Sequence, residues 1–130
     1  MVLLRADRAA LMQLRDNKPG LNAAGLWVFP GGHCEDEESF EAAARREFAE
    51  ETGYVCAELR WVTTFSCPSD DGTVTFEIGF FVGRYDGIQS VHCYEGQAVE
   101  FVAREAVVGL PMPGYVLRVW DLAIATLARG

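Results

Sequence analysis

Glu47, Glu50 and Glu51 stand at i, i+3 and i+4. On a helix their carboxylates would crowd one face, with β-carbons about 5–6 Å apart. At an effective dielectric near 20, each such pair repels by about 3 kcal/mol. Glu50 and Glu51 also fall near the end of their segment, where a helix dipole is already negative and favours cations. Places where local rules fail are often functional. Hard divalent cations such as Mg²⁺ take carboxylate oxygens and complete their octahedron with substrate phosphates, so the triplet suits a metal site that faces a phosphate. A Glu-rich helix more often presents an ordinary solvated face, and the surrounding spacing has to decide between the two.

The element that must carry the triplet is Ser39 to Thr52, rich in Ala, Glu and Arg, led in by the acidic stretch Glu35 to Glu38 and followed by Gly53. That pattern predicts a helix ending on a left-handed residue. Pro30-Gly31-Gly32 stops the apolar run Trp27-Val28-Phe29 just before it. Upstream, Val2 to Leu4 and Ala9 to Leu14 read as two strands around a polar turn, and Asp16 to Gly25 collects turn formers into a loop. Downstream, Tyr54 to Phe65 and Thr73 to Val82 read as a hairpin across Pro68 to Gly72, and Gln97 to Ala103 as a further strand. Val116, Val119, Trp120, Ala123 and Leu127 fall at helical spacing and predict a terminal amphipathic helix over Val116 to Leu127. Strands on both sides of a central helix imply a mixed α/β domain.

At 130 residues the chain matches one domain with one substantial core, read as a single unit over 1–130. Half of it is apolar and 23% charged, a globular rather than disordered balance. A net charge of -8 disfavours nucleic acid and anionic membrane as partners, since both need clustered Lys and Arg. A polyanionic substrate would therefore need a metal bridge. Cys34, Cys56, Cys67 and Cys93 form no CxxC pair, no leader is evident and no apolar run reaches bilayer length; a cytoplasmic protein with reduced thiols is expected. The first strand begins almost at Met1, which leaves room for preceding residues.

Gly32, then five residues, Glu38, then seven residues, then Arg46-Glu47-Phe48-Ala49-Glu50-Glu51-Thr52-Gly53-Tyr54 resembles the signature of the Nudix hydrolase family, with every fixed charged or glycine position filled. Chance would produce such a match with odds on the order of one in a million, so the likeness overrides the solvated-face reading. Trp27 to Gly32 is similar to the family's lead-in, and the likeness to small, single-domain, MutT-type members covers nearly the whole chain. Phe48 and Tyr54 stand where smaller aliphatic residues are usual.

The resemblance implies a Nudix-type α/β/α sandwich with a mixed sheet, and a divalent cation, Mg²⁺ or Mn²⁺, held against a diphosphate. It makes Glu47, Glu50 and Glu51 the metal and catalytic carboxylates, Glu47 being the first choice of general base, and the Gly31 carbonyl a further ligand. Glu95-Gly96-Gln97 is similar to a MutT-like Glu-Gly-Gln, which makes Glu95 an outlying metal ligand, with Glu77 and Glu100 as rivals. Arg15 looks like the arginine that contacts substrate in MutT-like members, a planar fork suited to phosphate oxygens. Gly32, Glu38, Arg46 and Gly53 carry the structural part of the signature. His33-Cys34 and His92-Cys93 lack the spacing of a zinc site.

The activity implied is metal-dependent hydrolysis of a phosphoanhydride bond in a nucleoside-diphosphate-linked small molecule, such as a nucleoside triphosphate or sugar nucleotide. Leu110-Pro111-Met112-Pro113-Gly114 has glycine where MutT-like purine readers place asparagine, so the base is left open. The alternative is a non-catalytic nucleotide sensor on the same fold; the intact carboxylate set argues against it. Messenger-RNA decapping is disfavoured by the acidic charge. Exposed apolar faces leave room for a homodimer.

Overall fold

The computed structural model describes residues 1–31, 34–35 and 37–129; Gly32 and His33, singled out from the sequence, lie outside the described residues. The elements are β1 (Val2–Leu4), β2 (Ala10–Leu14), β3 (Trp27–Val28), α1 (Phe40–Thr52), β4 (Arg60–Pro68), β5 (Thr75–Arg84), β6 (Ala98–Val102), a 3-10 turn (Arg104–Ala106) and α2 (Val116–Ala128).

The strands form one mixed sheet in the order β3-β2-β1-β5-β4, with β6 also pairing on β2. β1 and β5 run parallel, Val2 opposite Val82, and the other pairs are antiparallel. Alternation along the two central strands builds a core on each face. Val2, Leu4, Ala10 and Met12 join Phe80, Val82 and the stripe Val116, Val119, Trp120, Ala123 and Leu127 of α2. Leu3 and Leu11 point the other way, to Phe48 on α1, Tyr54 and Cys56. The sheet is therefore covered by one helix per face, the α/β/α arrangement expected.

α1 begins where Ser39 Oγ accepts the Ala42 N–H, and ends where Gly53, at φ 76°, donates its N–H to the Ala49 carbonyl. It buries Ala43, Phe48, Glu51 and Thr52. The hairpin differs from expectation at its start. β4 begins at Arg60 rather than Tyr54, and both hairpin strands extend past the expected ends. Tyr54 and Cys56 are apolar because they fill the α1-side core. The backbone of Val55 between them bonds both ends of the Gln89 side-chain amide in place of a strand.

Candidate active site

The last turn of α1 carries the glutamate triplet, and the structure gives its members different surroundings. Glu51 is buried, 4% exposed. Its Oε2 accepts the Gly31 N–H at 2.8 Å, and its carboxyl meets that of Glu95 through a hydrogen bond. Burial, and next the charge of Glu95 and the hydrogen bond with it, push the Glu51 carboxyl up to about 8; the Gly31 N–H opposes this. Of the three outlying carboxylates considered from the sequence, Glu95 is the one beside Glu51. Glu77 and Glu100 occupy exposed positions on β5 and β6.

Arg46 organises the other two. Its guanidinium makes a fork onto Glu38, Nε to Oε2 at 2.8 Å and Nη2 to Oε1 at 2.9 Å, while Nη1 reaches Glu47 Oε1 at 2.8 Å and Glu50 Oε2 at 3.3 Å. Glu35 adds a longer contact at 3.5 Å. The Arg46 hydrogen bonds, with the Glu35 N–H, hold Glu38 down to about 2, and Arg46 is raised in turn. One planar cation thus joins the loop before α1 to two of its crowded carboxylates.

A segment far along the chain closes the site. The N–H groups of His92 and Tyr94 donate to the carbonyls of Thr52 and Glu51, at 2.8 and 3.0 Å, satisfying the end of α1. A Cβ on Gly53 would meet the stacked rings of His92 and Tyr94 at 3.2 Å. Beyond Glu95 the segment docks on β2. Arg15 follows β2, gives its Nε–H to the Asn22 carbonyl at 2.9 Å and lies beside the buried phenol of Tyr115. Burial raises that phenol to about 12.

Glu47, Glu50, Glu51, Glu95, Gly31 and Gly53 thus lie about the last two turns of α1, Arg46 ties Glu47 and Glu50 back to Glu38 before the helix, and Arg15 is reached through the docked segment. Among the described residues no three carboxylate, imidazole or thiol groups already converge as an ion cage, since Glu47 and Glu50 are turned onto Arg46. The donor set is nonetheless of the right chemistry for a hard cation: carboxylate oxygens, one buried and opposed by another from a distant segment. Gln13 escaped sequence reasoning, although it is the one strongly polar side chain in a buried strand, Ala10 to Leu14. Gln97 stood out in the sequence only through its place in Glu95-Gly96-Gln97.

The profile of the NUDIX domain matches residues 1–116. The curated relative "Nudix hydrolase 25" of Arabidopsis thaliana is 46% identical over 48 residues, 33% of this chain and 27% of that protein, so the match spans about a quarter of it. Among solved structures, a MutT protein from Methanosarcina mazei Go1 superposes with a TM-score of 0.80 at 20% identity, covering 97% of this chain and 90% of that one. The NUDIX domain of Shewanella oneidensis NrtR, complexed with ADP ribose, gives 0.78 at 23% identity, covering 97% and 84%. A C. elegans Ap4A hydrolase binary complex gives 0.79 at 18% identity, covering 99% and 95%. At these identities the structures share a fold with this chain.

Proposed function

This chain belongs to the Nudix family, and we propose that it is a divalent-metal-dependent hydrolase cleaving a phosphoanhydride bond in a nucleoside-diphosphate-linked small molecule, such as a nucleoside triphosphate or sugar nucleotide. The observation that carries the reading is the meeting of the buried Glu51 carboxyl with that of the exposed Glu95. Two carboxylates brought together from distant segments, one of them desolvated, cost stability unless a proton or a cation is shared between them.

Glu47, Glu50, Glu51 and Glu95, with the Gly31 carbonyl, would hold Mg²⁺ or Mn²⁺; when bound, the ion supplies charge neutralisation for the diphosphate oxygens. Glu47 and Glu50 would exchange Arg46 for that role, while Arg46 stays anchored on Glu38. The Gly31 N–H keeps Glu51 oriented. Arg15 offers a guanidinium to a substrate phosphate. Glu47 takes a proton from the attacking water; the water oxygen bonds to phosphorus as the P–O bond to the bridging oxygen breaks, and phosphate or nucleotide departs carrying that oxygen. The free thiols fit a reducing cytoplasm.

The test is product release from nucleoside triphosphates, sugar nucleotides, ADP-ribose and dinucleoside polyphosphates, with Mg²⁺ and with chelator. Metal-dependent turnover that Glu51→Gln abolishes supports the hydrolase. Binding without turnover across the panel replaces it with the nucleotide sensor.

A further inference from the structure

Gln13 is 2% exposed, and on β2 it shares the α1-side face with Leu11, two residues earlier. A buried amide in an apolar strand is costly unless its hydrogen bonds are made. Its Nε2 donates to the Glu95 carbonyl at 3.0 Å, across 82 residues of sequence. The next two residues dock beside it. Gly96, at φ 86°, passes so close that a Cβ would stand 2.7 Å from the Leu14 carbonyl and 3.2 Å from Gln13 Cγ. Gln97 donates its N–H to that Leu14 carbonyl at 2.7 Å and its side-chain Nε2 to the Arg15 carbonyl at 2.8 Å. On the other side, Tyr94 and His92 are tied to the last carbonyls of α1. Glu95 therefore belongs to a peptide whose backbone is fixed to both β2 and α1.

We propose that Gln13 and Gln97 are positioning residues that clamp residues 92–97 between β2 and α1, and so hold the Glu95 carboxylate against Glu51 for a shared divalent cation. The inference rests on the metal-hydrolase reading but goes beyond it, because both amides act through backbone carbonyls, of Glu95 and of Arg15. Outer-shell partners that orient a ligand change metal affinity by about 10–100-fold when removed. The clamp also ends on the backbone of Arg15, so the metal side and the substrate arginine are built on one hydrogen-bonded run.

Gln13→Leu keeps the volume and removes the Gln13 amide from the Glu95 carbonyl, leaving it the weaker Cys93 thiol donor at 3.4 Å; Gln97→Met removes the exposed half of the clamp without entering the core. Binding of Mn²⁺ is followed directly by the loss of its free-ion electron paramagnetic resonance signal, without substrate. Gln13→Leu should weaken binding at least about tenfold and Gln97→Met in the same direction. In a Glu95→Gln background the same changes should cost nothing further, which a general loss of structure would not reproduce. At saturating Mg²⁺, kcat should return toward native. Native Mn²⁺ affinity in both variants, or an equal loss with and without Glu95, overturns the clamp. If the unaltered chain turns over nucleotide with Mg²⁺ and the variants bind Mn²⁺ as it does, the clamp fails alone. If the unaltered chain neither binds Mn²⁺ nor turns over, the hydrolase reading and the clamp fail together.

Discussion

Glu47 and Glu51 differ in ways that separate experiments can read. Glu47, 2.8 Å from Arg46, is the proposed proton acceptor, and Glu47→Gln should lower kcat by about 10²–10⁴-fold even at saturating Mg²⁺ and nucleotide; full turnover in steady-state assays would reassign the base. Glu51 governs pH instead. Pushed up to about 8 from an ordinary 4.5, it keeps its proton in the folded chain where the unfolded chain has lost it. That stabilisation is complete below pH 4.5 and is lost as pH rises toward 8. In chelator, the native melting temperature should therefore fall from about pH 5 to about pH 8 more steeply than that of Glu51→Gln; parallel curves would refute the assignment. Cation binding at the proposed site should run the opposite way, strengthening with pH as Glu51 ionises. The triplet was legible in the sequence because helical spacing alone crowds it. The unequal burial of its members was not, since Gly31 and Glu95 create it from elsewhere.

Elements announce themselves where local chemistry ends them. Gly53 ends α1 as the sequence implied, while Ser39, expected inside the helix, caps its start, and Pro68 to Gly72 sits at the tip of the hairpin. The start of β4 was illegible because Tyr54 and Cys56 look like strand residues but serve as core plugs, a tertiary demand that no local pattern encodes. The docking of Glu95 to Gln97 on β2 was hidden for the same reason. It can be tested with a matched pair of glycines. At Gly72, with φ 75°, an added methyl would meet nothing within 4 Å, whereas at Gly96, with φ 86°, it would face the Leu14 carbonyl. Gly72→Ala should cost about 1 kcal/mol from backbone strain alone. Gly96→Ala should cost about 2 kcal/mol or more and weaken Mn²⁺ binding as well, since the segment must lift off β2. Equal urea midpoints for the two would remove the close approach from the account.

Across the whole molecule, the sheet separates two cores that do different work. The α2 side, with Trp120 fully buried and its indole N–H on the Arg8 carbonyl at 3.0 Å, lies on the face away from α1. The α1 side, built on Phe48, Tyr54, Leu3 and Leu11, sets the height of the glutamate turn above the sheet. Phe48→Ala should cost about 3–5 kcal/mol in urea unfolding and, measured well below its melting temperature, should also reduce Mn²⁺ affinity. A cavity on the α2 side, such as Val119→Ala, should lower stability with metal affinity kept. Helical spacing made the α2 stripe readable, whereas the α1-side core and which strand lies beside which depended on long-range packing and pairing. That pairing has a kinetic consequence. β1 is central, yet its parallel neighbour β5 arrives only at Val82, and the clamp on β2 later still. Parallel partners so far apart in sequence are closed late against a large loop entropy. As the chain is made, the crowded carboxylates of α1 must therefore exist for a time before the segment bearing Glu95 reaches them. Refolding followed by tryptophan fluorescence should run in milliseconds to seconds rather than microseconds, with the ability to hold a cation appearing in its last phase.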